Sequence, residues 1–439
     1  MSPLLLLFAG VTVVAIAMHV RSRARQEQES RKLLHENMRA GVNEPPSLHP
    51  LIDSDRCIGC GSCVDACPEQ PLHSPLGLVN GKAVLVDAAH CIGHGACRIA
   101  CPMDAIELVF GTEKRGVEIP NLKPNFESNV PGLFIAGELG GMGLVANAID
   151  QGKAAMASIR KLPGVGERAA GDDRLDVVVV GAGPAGFTAS LAAMEAKLRY
   201  RTIEQGTLGG TVFQFPRGKI VMTRPVELPV VGRVKITETS KEKLLEFWQK
   251  VERDTQIEIH YNERLEMVTP EGDGFVVRTA VGEYRARAVL LCLGRTGTPR
   301  KLGVSGEEHP KVVYRLIDPA EYSGKQVLVV GGGDSALEAA TAIAEEEGTR
   351  VTLSYREKAF SRAKEKNRLK VETLQQADRL HVMFGSTVKA IHNRHVDIDC
   401  GGDVVSLPNQ AVIVCAGGIL PTPFLKEIGV EVETKFGTK

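Results

Sequence analysis

Seven of the ten cysteines fall between Cys57 and Cys101, in two runs of one spacing. The first run is Cys57, Cys60, Cys63 and Cys67 followed by Pro68, a C-x2-C-x2-C-x3-C-P pattern. Thiolates spaced this way wrap a [4Fe–4S] cubane: three on a tight loop hold one cluster, and the fourth reaches across to another. The second run, Cys91, His94, Cys97, Cys101 and Pro102, keeps the spacing but sets an imidazole where the second thiolate belongs. Exchanging the distal cysteines assigns Cys57, Cys60, Cys63 and Cys101 to cluster one. Cluster two takes Cys91, Cys97 and Cys67, with His94 as the candidate fourth ligand. Imidazole in place of thiolate removes negative charge and raises the potential; the alternative is an unligated His94 beside a three-iron cluster. His90 reads as a solvated surface residue. Cys292, Cys400 and Cys415 have no paired spacing and read as small apolar strand residues. Clustering of this kind speaks for metal rather than disulfides, and so for a reducing compartment.

Two glycine-rich loops carry the second chemistry. Asp176 to Val180 is a short apolar run leading into Gly181, Gly183, Pro184, Ala185 and Gly186, a G-x-G-x-x-G loop with a helical pattern after it. Glu204 ends the next apolar run, 23 positions past Gly181. That is near the spacing of a ribose-binding carboxylate in a dinucleotide fold, where the pyrophosphate sits on the helix N-terminus. The second copy runs through Gly331, Gly333, Asp334, Ser335 and Ala336. Its position matching Glu204 is Ser354, followed by Tyr355 and Arg356. With no acid for a free 2′-hydroxyl and an arginine near enough for a 2′-phosphate, the reading leans to NADPH over NADH. Arg362 and Lys364 are candidate helpers.

These residues need strands and turns to place them. The 439-residue chain has 46 glycines, 43% hydrophobic and 5% aromatic residues, which suits α/β layers with many tight turns. Its zero formal net charge gives no basic footprint for a nucleic-acid partner. Leu4 to Val20 carries no charge and Arg21, Arg23 and Arg25 follow. This pattern is expected to be a short transmembrane anchor in the inner (cytoplasmic) membrane, with its N-terminus outside and the catalytic domains in the cytoplasm.

The tandem loops, the second reading Gly331 to Ala340 as GGGDSALEAA, and the stretch Leu291 to Pro299 between them resemble the thioredoxin-reductase-like oxidoreductases over about residues 111–439. The resemblance implies FAD in the first fold, NAD(P)H in the second, a nicotinamide domain inserted within the FAD domain, and a homodimer. The redox C-x-x-C of thioredoxin reductases is missing: the matching region reads Val312 to Asp318. The sequence is therefore more similar to the ferredoxin–NADP reductase and bacillithiol-disulfide-reductase branches. The family's flavin-closing strand and helix should follow the nicotinamide domain. Here they stand upstream, as Asn129 to Glu138 and Ala148 to Ala155. This implies a circular permutation, with Lys439 ending near residues 110–114. By the same resemblance Gly137 and Glu138 replace a Gly-Asp that holds the flavin ribityl chain, and a helix N-terminus near Gln151 and Gly152 faces the flavin pyrimidine. Gly209, Gly210 and Thr211 resemble the loop along the isoalloxazine.

The expected architecture is two Rossmann-like domains plus a small α+β dicluster ferredoxin domain and the N-terminal helix. By residue it runs 1–22 anchor, 23–50 stalk, 51–110 ferredoxin domain, 111–162 flavin-closing segment, 163–173 linker, 174–298 FAD-binding domain, 299–417 NAD(P)-binding domain and 418–439 return to the FAD domain. Nicotinamide moves electrons in pairs, iron–sulfur clusters singly, and flavin does both. The expected function is a membrane-anchored FAD- and iron–sulfur-dependent NAD(P)H oxidoreductase serving an external protein or small-molecule redox partner. The alternatives are an NADPH-dependent reductase of low-molecular-weight disulfides and an electron-transfer subunit of a membrane complex.

Overall fold

Short apolar runs broken by glycine give this chain many brief strands. In the computed structural model the described residues are 3–39, 45, 48–70, 74–91, 93–113, 116–141, 143–167, 173–215, 220–222, 225–236, 238–295, 297–361, 363 and 365–437. They form two units, Met1–Val117 with Phe360–Arg368 and Lys435–Lys439, and Glu118–Ala359 with Leu369–Thr434.

The first unit opens with helix α1, Pro3–Arg39. Strand β1 (His49–Ile52), helix α2 (Ser62–Asp65), strands β2 (Leu76–Val79) and β3 (Lys82–Leu85), helix α3 (Ala96–Ile99) and strand β4 (Ile106–Val109) follow. β1 pairs antiparallel with β4, and β2 with β3. The buried core is thin, made of Cys63, Leu76, Ala83, Cys97 and Ile106. Two of these five are thiols.

The segment 23–50 is not the free stalk expected from its polarity. Helix α1 continues into it as far as Arg39 and lies on the β2–β3 hairpin: Arg31 donates to Asn80 Oδ1 at 2.8 Å, and Asn37 Nδ2 to Val86 O at 3.0 Å. Its polar residues serve as hydrogen-bond donors to loops, which a hydrophobic periodicity does not reveal. The end of the segment, from His49, is strand. Among the described residues no helix is long and apolar enough to cross a membrane. The side chains of Leu4 to Ala9, where the apolar run begins, lie outside the described residues.

In the second unit, strands β5 (Val117–Pro120) and β6 (Leu133–Ile135) precede helix α4 (Val145–Ile159); β7 (Leu175–Val180), helix α5 (Pro184–Glu195) and β8 (Tyr200–Glu204) follow. The main sheet runs Ile259–Tyr261, β8, β7, Glu283–Leu291, Gly274–Thr279, Leu265–Glu271. β6 adds to it in parallel, with Leu133, Phe134 and Ile135 opposite Val289, Leu290 and Leu291. Alternation sends Leu133 and Ile135 into one core with Val178 and Val180, and Phe134 into the other with Ala155 and Ala185. Burial on both faces explains why these runs are continuously apolar.

A second, all-parallel sheet runs Val312–Val313, Ala411–Val414, Gln326–Val330, Arg350–Tyr355, Leu380–Phe384. Beside it lies an antiparallel meander of Ser386–Ile391, His395–Cys400 and Asp403–Pro408. Two short strands, Thr298–Pro299 and Gly418–Ile419, pair where the chain leaves and re-enters the first sheet's domain. After re-entry Leu425, Ile428 and Val430 join the core of Leu133 and Ile135. The last strand, Val432–Lys435, pairs with β5.

Candidate functional site

The two cysteine runs fold as near-copies. Gly59 and Gly93 both have left-handed backbones, φ +66° and +74°, and a Cβ on either would stand 2.0 Å from Gly81 O or 2.5 Å from Leu48 O. The loops are thus pressed onto the neighbouring chain in a way only glycine permits. One cavity is lined by Cys57, Cys60, Cys63 and Cys101, the other by Cys67, Cys91, Cys97 and His94. The structure therefore brings together both donor sets expected from the exchange of distal cysteines.

Backbone amides point at the sulfurs: Ala83 N donates to Cys57 Sγ at 3.5 Å and Ala105 N to Cys101 Sγ at 3.3 Å. Arg23 donates to Cys60 O at 2.9 Å and Lys82 to Cys57 O at 2.6 Å. The sequence reading used Arg23 only as a flank of the apolar run and did not single out Lys82, because each acts here on a main-chain oxygen. Burial, then the neighbouring thiols, pushes Cys63 up to about 11, and Cys97 likewise to about 11. Burial does the same to Cys91, again to about 11. Thiols crowded to this degree stay protonated without a cation, and a metal displaces the protons. In the second cavity, His94 Nε2 is buried with no hydrogen-bond partner, while Nδ1 accepts from Ala96 N at 3.4 Å. Both cavities thus fit iron–sulfur groups by donor chemistry.

His90 corrects the reading of a surface residue. It is 3% exposed, with Nδ1 2.7 Å from Asp87 Oδ2. The 3-10 turn Ala88–His90 swings it inward, a geometry that its neighbour Cys91 does not foretell.

In the second unit, Gly181 has φ +106° and a Cβ there would meet Cys292 O at 2.5 Å. Gly183 precedes α5, with Pro184 at the first helical turn. No atom lies within 4 Å of where a Gly183 Cβ would stand, so this side of the loop is an open cradle. Gly210 flanks the cradle, its Cβ position 3.3 Å from Gly183 Cα, and Gly209 N donates to Ala182 O at 3.0 Å. Glu204 is 7% exposed and holds the loop itself, accepting from Ala182 N at 2.7 Å and Gly206 N at 2.8 Å.

Residues 137–152 join this loop. Gly137 N donates to Gln151 Oε1 at 2.8 Å, and the Gly137 Cβ position is 3.0 Å from Ala185 Cβ. A Cβ on Gly152 would stand 2.1 Å from Ala185 O, so α4 and α5 touch backbone to backbone. Glu138 lies beside Gly294 and Arg295; burial pushes its carboxyl up, against the pull of Arg295. Thr211 Oγ1 also lies by Gly294. In the sequence Gly294 and Arg295 belonged only to the crossover.

The helix N-terminus was misplaced: α4 begins at Val145, so Gln151 and Gly152 sit about two turns in. Their roles here are a hydrogen bond to Gly137 and a close helix crossing. The extra turns were hidden because Leu144, at the N-cap, offers no capping side chain.

The second loop keeps the same form. Gly331 has φ +142° and meets Ala336 closely, Gly333 precedes the helix Asp334–Ala344, and Ser335 is exposed beside it. Tyr355 covers the loop, its ring 2.4 Å from where a Gly332 Cβ would stand. Ser354 is not placed to read a cofactor: it is 1% exposed and bonded to Ser386 Oγ at 2.8 Å. A serine ending a strand pairs with its neighbour strand more readily than it extends to a ribose. Arg356 is exposed, 3.4 Å from Glu357. Arg362 and Lys364 lie outside the described residues. Cys292 is buried, and Cys415, pushed up to about 12 by burial, lies near Ser335 O.

Comparison with known proteins agrees with this geometry. Residues 178–437 match the pyridine nucleotide-disulphide oxidoreductase family, and residues 49–102 match a 4Fe-4S dicluster domain. A ferredoxin–NADP reductase of Thermus thermophilus is 33% identical over 60% of this chain and 78% of its own length. One from Ignicoccus hospitalis is 33% identical over 42% of this chain, which spans 57% of that relative's length. The bacilliredoxin reductase Bdr of Bacillus subtilis is 26% identical over 59% of this chain and 82% of its own. The solved bacillithiol disulfide reductase Bdr of Bacillus cereus superposes with a TM-score of 0.52 at 24% identity, covering 59% of this chain and 82% of that one.

Proposed function

Since the chain belongs to the pyridine nucleotide-disulphide oxidoreductase family and carries a 4Fe-4S dicluster domain, we propose that it is an NAD(P)H-dependent FAD oxidoreductase that exchanges electrons with two iron–sulfur clusters. The observation that carries this is the packing of residues 137–152 against the Gly181 loop, which surrounds a dinucleotide cradle, in a chain that also gathers two four-donor cavities. FAD, when bound, takes hydride from nicotinamide and passes electrons on singly to iron–sulfur groups.

The protein's part is placement. Glu204 fixes the loop through two backbone amides, and the N-terminus of α5 would take the pyrophosphate. Glu138 and Thr211 line the cradle near Gly294 as hydrogen-bonding groups for the flavin side chain. Cys57, Cys60, Cys63 and Cys101 would hold cluster one; Cys67, Cys91 and Cys97, with His94 as fourth ligand, cluster two. Arg356 would meet the 2′-phosphate of NADPH. The test is anaerobic reduction of the purified protein with NADPH, followed by visible absorbance and EPR. Bleached flavin with clusters that remain oxidised would reject the reading.

The order of segments fits a circular permutation in which 111–162 is the displaced closing element. Its support is the parallel addition of β6, the pairing of β5 with Val432–Lys435, and Gly437 N donating to Phe110 O at 2.8 Å. Membrane attachment through the run Leu4 to Val20, with the catalytic domains on the cytoplasmic side, rests on sequence pattern alone; recovery in the membrane fraction, lost on deleting 1–22, is its test. A second reading, reduction of a low-molecular-weight disulfide, is favoured by the likeness to Bdr. NADPH-dependent turnover of such a disulfide that survives Cys60→Ala would select it.

A further inference from the structure

The solvent face of the meander beside the second sheet carries a donor cluster that neither the flavin nor the iron–sulfur reading uses. His392 and His395 flank a two-residue turn, closed by His392 N donating to His395 O at 2.9 Å. Cross-strand neighbours share a face, so both imidazoles project together, and their rings stack with centroids 4.3 Å apart at 19°. Alternation along the strand puts Asp397 on that face and buries Val396 and Ile398, both 0% exposed, on the other. Each imidazole addresses a different oxygen of one carboxylate: His392 Nε2 is 3.1 Å from Asp397 Oδ2, and His395 Nε2 is 3.9 Å from Oδ1. One ligand atom from each residue lies within 4.8 Å of the others. Ser406, on the next strand, hydrogen-bonds the Asp397 carboxyl and steadies it.

We propose that His392, His395 and Asp397 form a surface site for one first-row divalent cation of the zinc or nickel class. Two imidazole nitrogens and one carboxylate oxygen are the donor set these borderline cations prefer, with water completing the shell. The hairpin supplies the organisation in advance. Its turn fixes the two histidines, and the buried Val396 and Ile398 fix the register of Asp397. A divalent cation engages all three donors at once. The bound cation would clamp the tip of the strands Ser386–Ile391 and His395–Cys400.

The test uses the full chain with flavin and clusters loaded, so that its clustered thiols are occupied. Zn(II) is titrated by calorimetry, and histidine acylation by diethylpyrocarbonate is followed by mass spectrometry with and without Zn(II). One Zn(II) is expected to bind, and His392→Ala and Asp397→Asn each to weaken it about tenfold or more. Zn(II) should also slow acylation of His392 and His395 while leaving the exposed His381 unchanged. Equal acylation rates with and without Zn(II), or an isotherm unchanged in the His392→Ala/His395→Ala double variant, would overturn the proposal. The double variant should keep the wild-type circular dichroism spectrum and NADPH oxidation rate, because the meander's buried face is untouched.

Discussion

Gly152→Ala probes whether helix α4 closes the dinucleotide cradle. The new Cβ would stand 2.1 Å from Ala185 O, 2.9 Å from its carbonyl carbon and 3.1 Å from its Cα. All three are backbone atoms, so no side-chain rotation relieves the overlap. Ordinary contact needs roughly 3.4 Å, and α4 must therefore move off α5 by about 1 Å in a close-packed interior. Overpacking of this kind costs about 3 kcal/mol, against about 1 kcal/mol gained from alanine's better helix propensity. The net loss of about 2 kcal/mol lowers Tm by about 3 °C in a unit of roughly 300 residues. Ala185 follows Pro184 at the start of α5, and Gly137 rests on its Cβ, so the displacement reaches the loop 181–186 and the end of β6. Flavin content should fall with stability. Gly183→Ala is the control: no atom lies within 4 Å of its Cβ position, so flavin-free Tm should hold while the methyl obstructs the pyrophosphate. The assay is the flavin-to-protein ratio after denaturation, with thermal unfolding of the flavin-free protein. Wild-type flavin content and Tm in Gly152→Ala would refute the reasoning.

Other expectations follow from the same coordinates. Cys101→Ala, although in the second run, should remove the cluster held by the first, which lowers bound iron by about half and leaves the second EPR signal in place. Glu138 has a folded pKa raised by burial, so the native state binds the proton more tightly than the unfolded chain. Its cost to stability is full above the folded pKa and vanishes as pH falls below the unfolded value, about 4.3. Glu138→Gln should therefore raise the Tm of the flavin-free protein at neutral pH and leave it unchanged near pH 3.5; an equal rise at both would count against burial as the cause. Arg356→Ala should raise KM for NADPH about tenfold or more and spare KM for NADH, measured by steady-state kinetics.

The cysteine spacing and the two glycine loops were legible because each run and each loop is local, within a dozen residues, and the chemistry permits few substitutes. The return of residues 129–152 to the first glycine loop was also legible, through resemblance rather than periodicity. What stayed hidden depends on distant partners. Nothing in the polarity of Arg23 to Asn37 says that these side chains meet carbonyls and an amide of the ferredoxin hairpin. Ser354 reads as a cofactor residue by position, and only the approach of Ser386 shows where its hydroxyl goes. The start of α4 was missed because Leu144 provides no capping side chain. His90 carries no pattern that distinguishes inside from outside.

The parallel seam between β6 and Glu283–Leu291 also bears on how the protein is made. A ribosome completes Leu133–Ile135 roughly 150 residues before its partner strand exists, and the later strand must be laid between two already synthesised neighbours. Until then β6 has no strand to pair with. Nascent chains halted before Leu291 should be the ones that chaperones hold, and those extended past it the first able to retain dinucleotide.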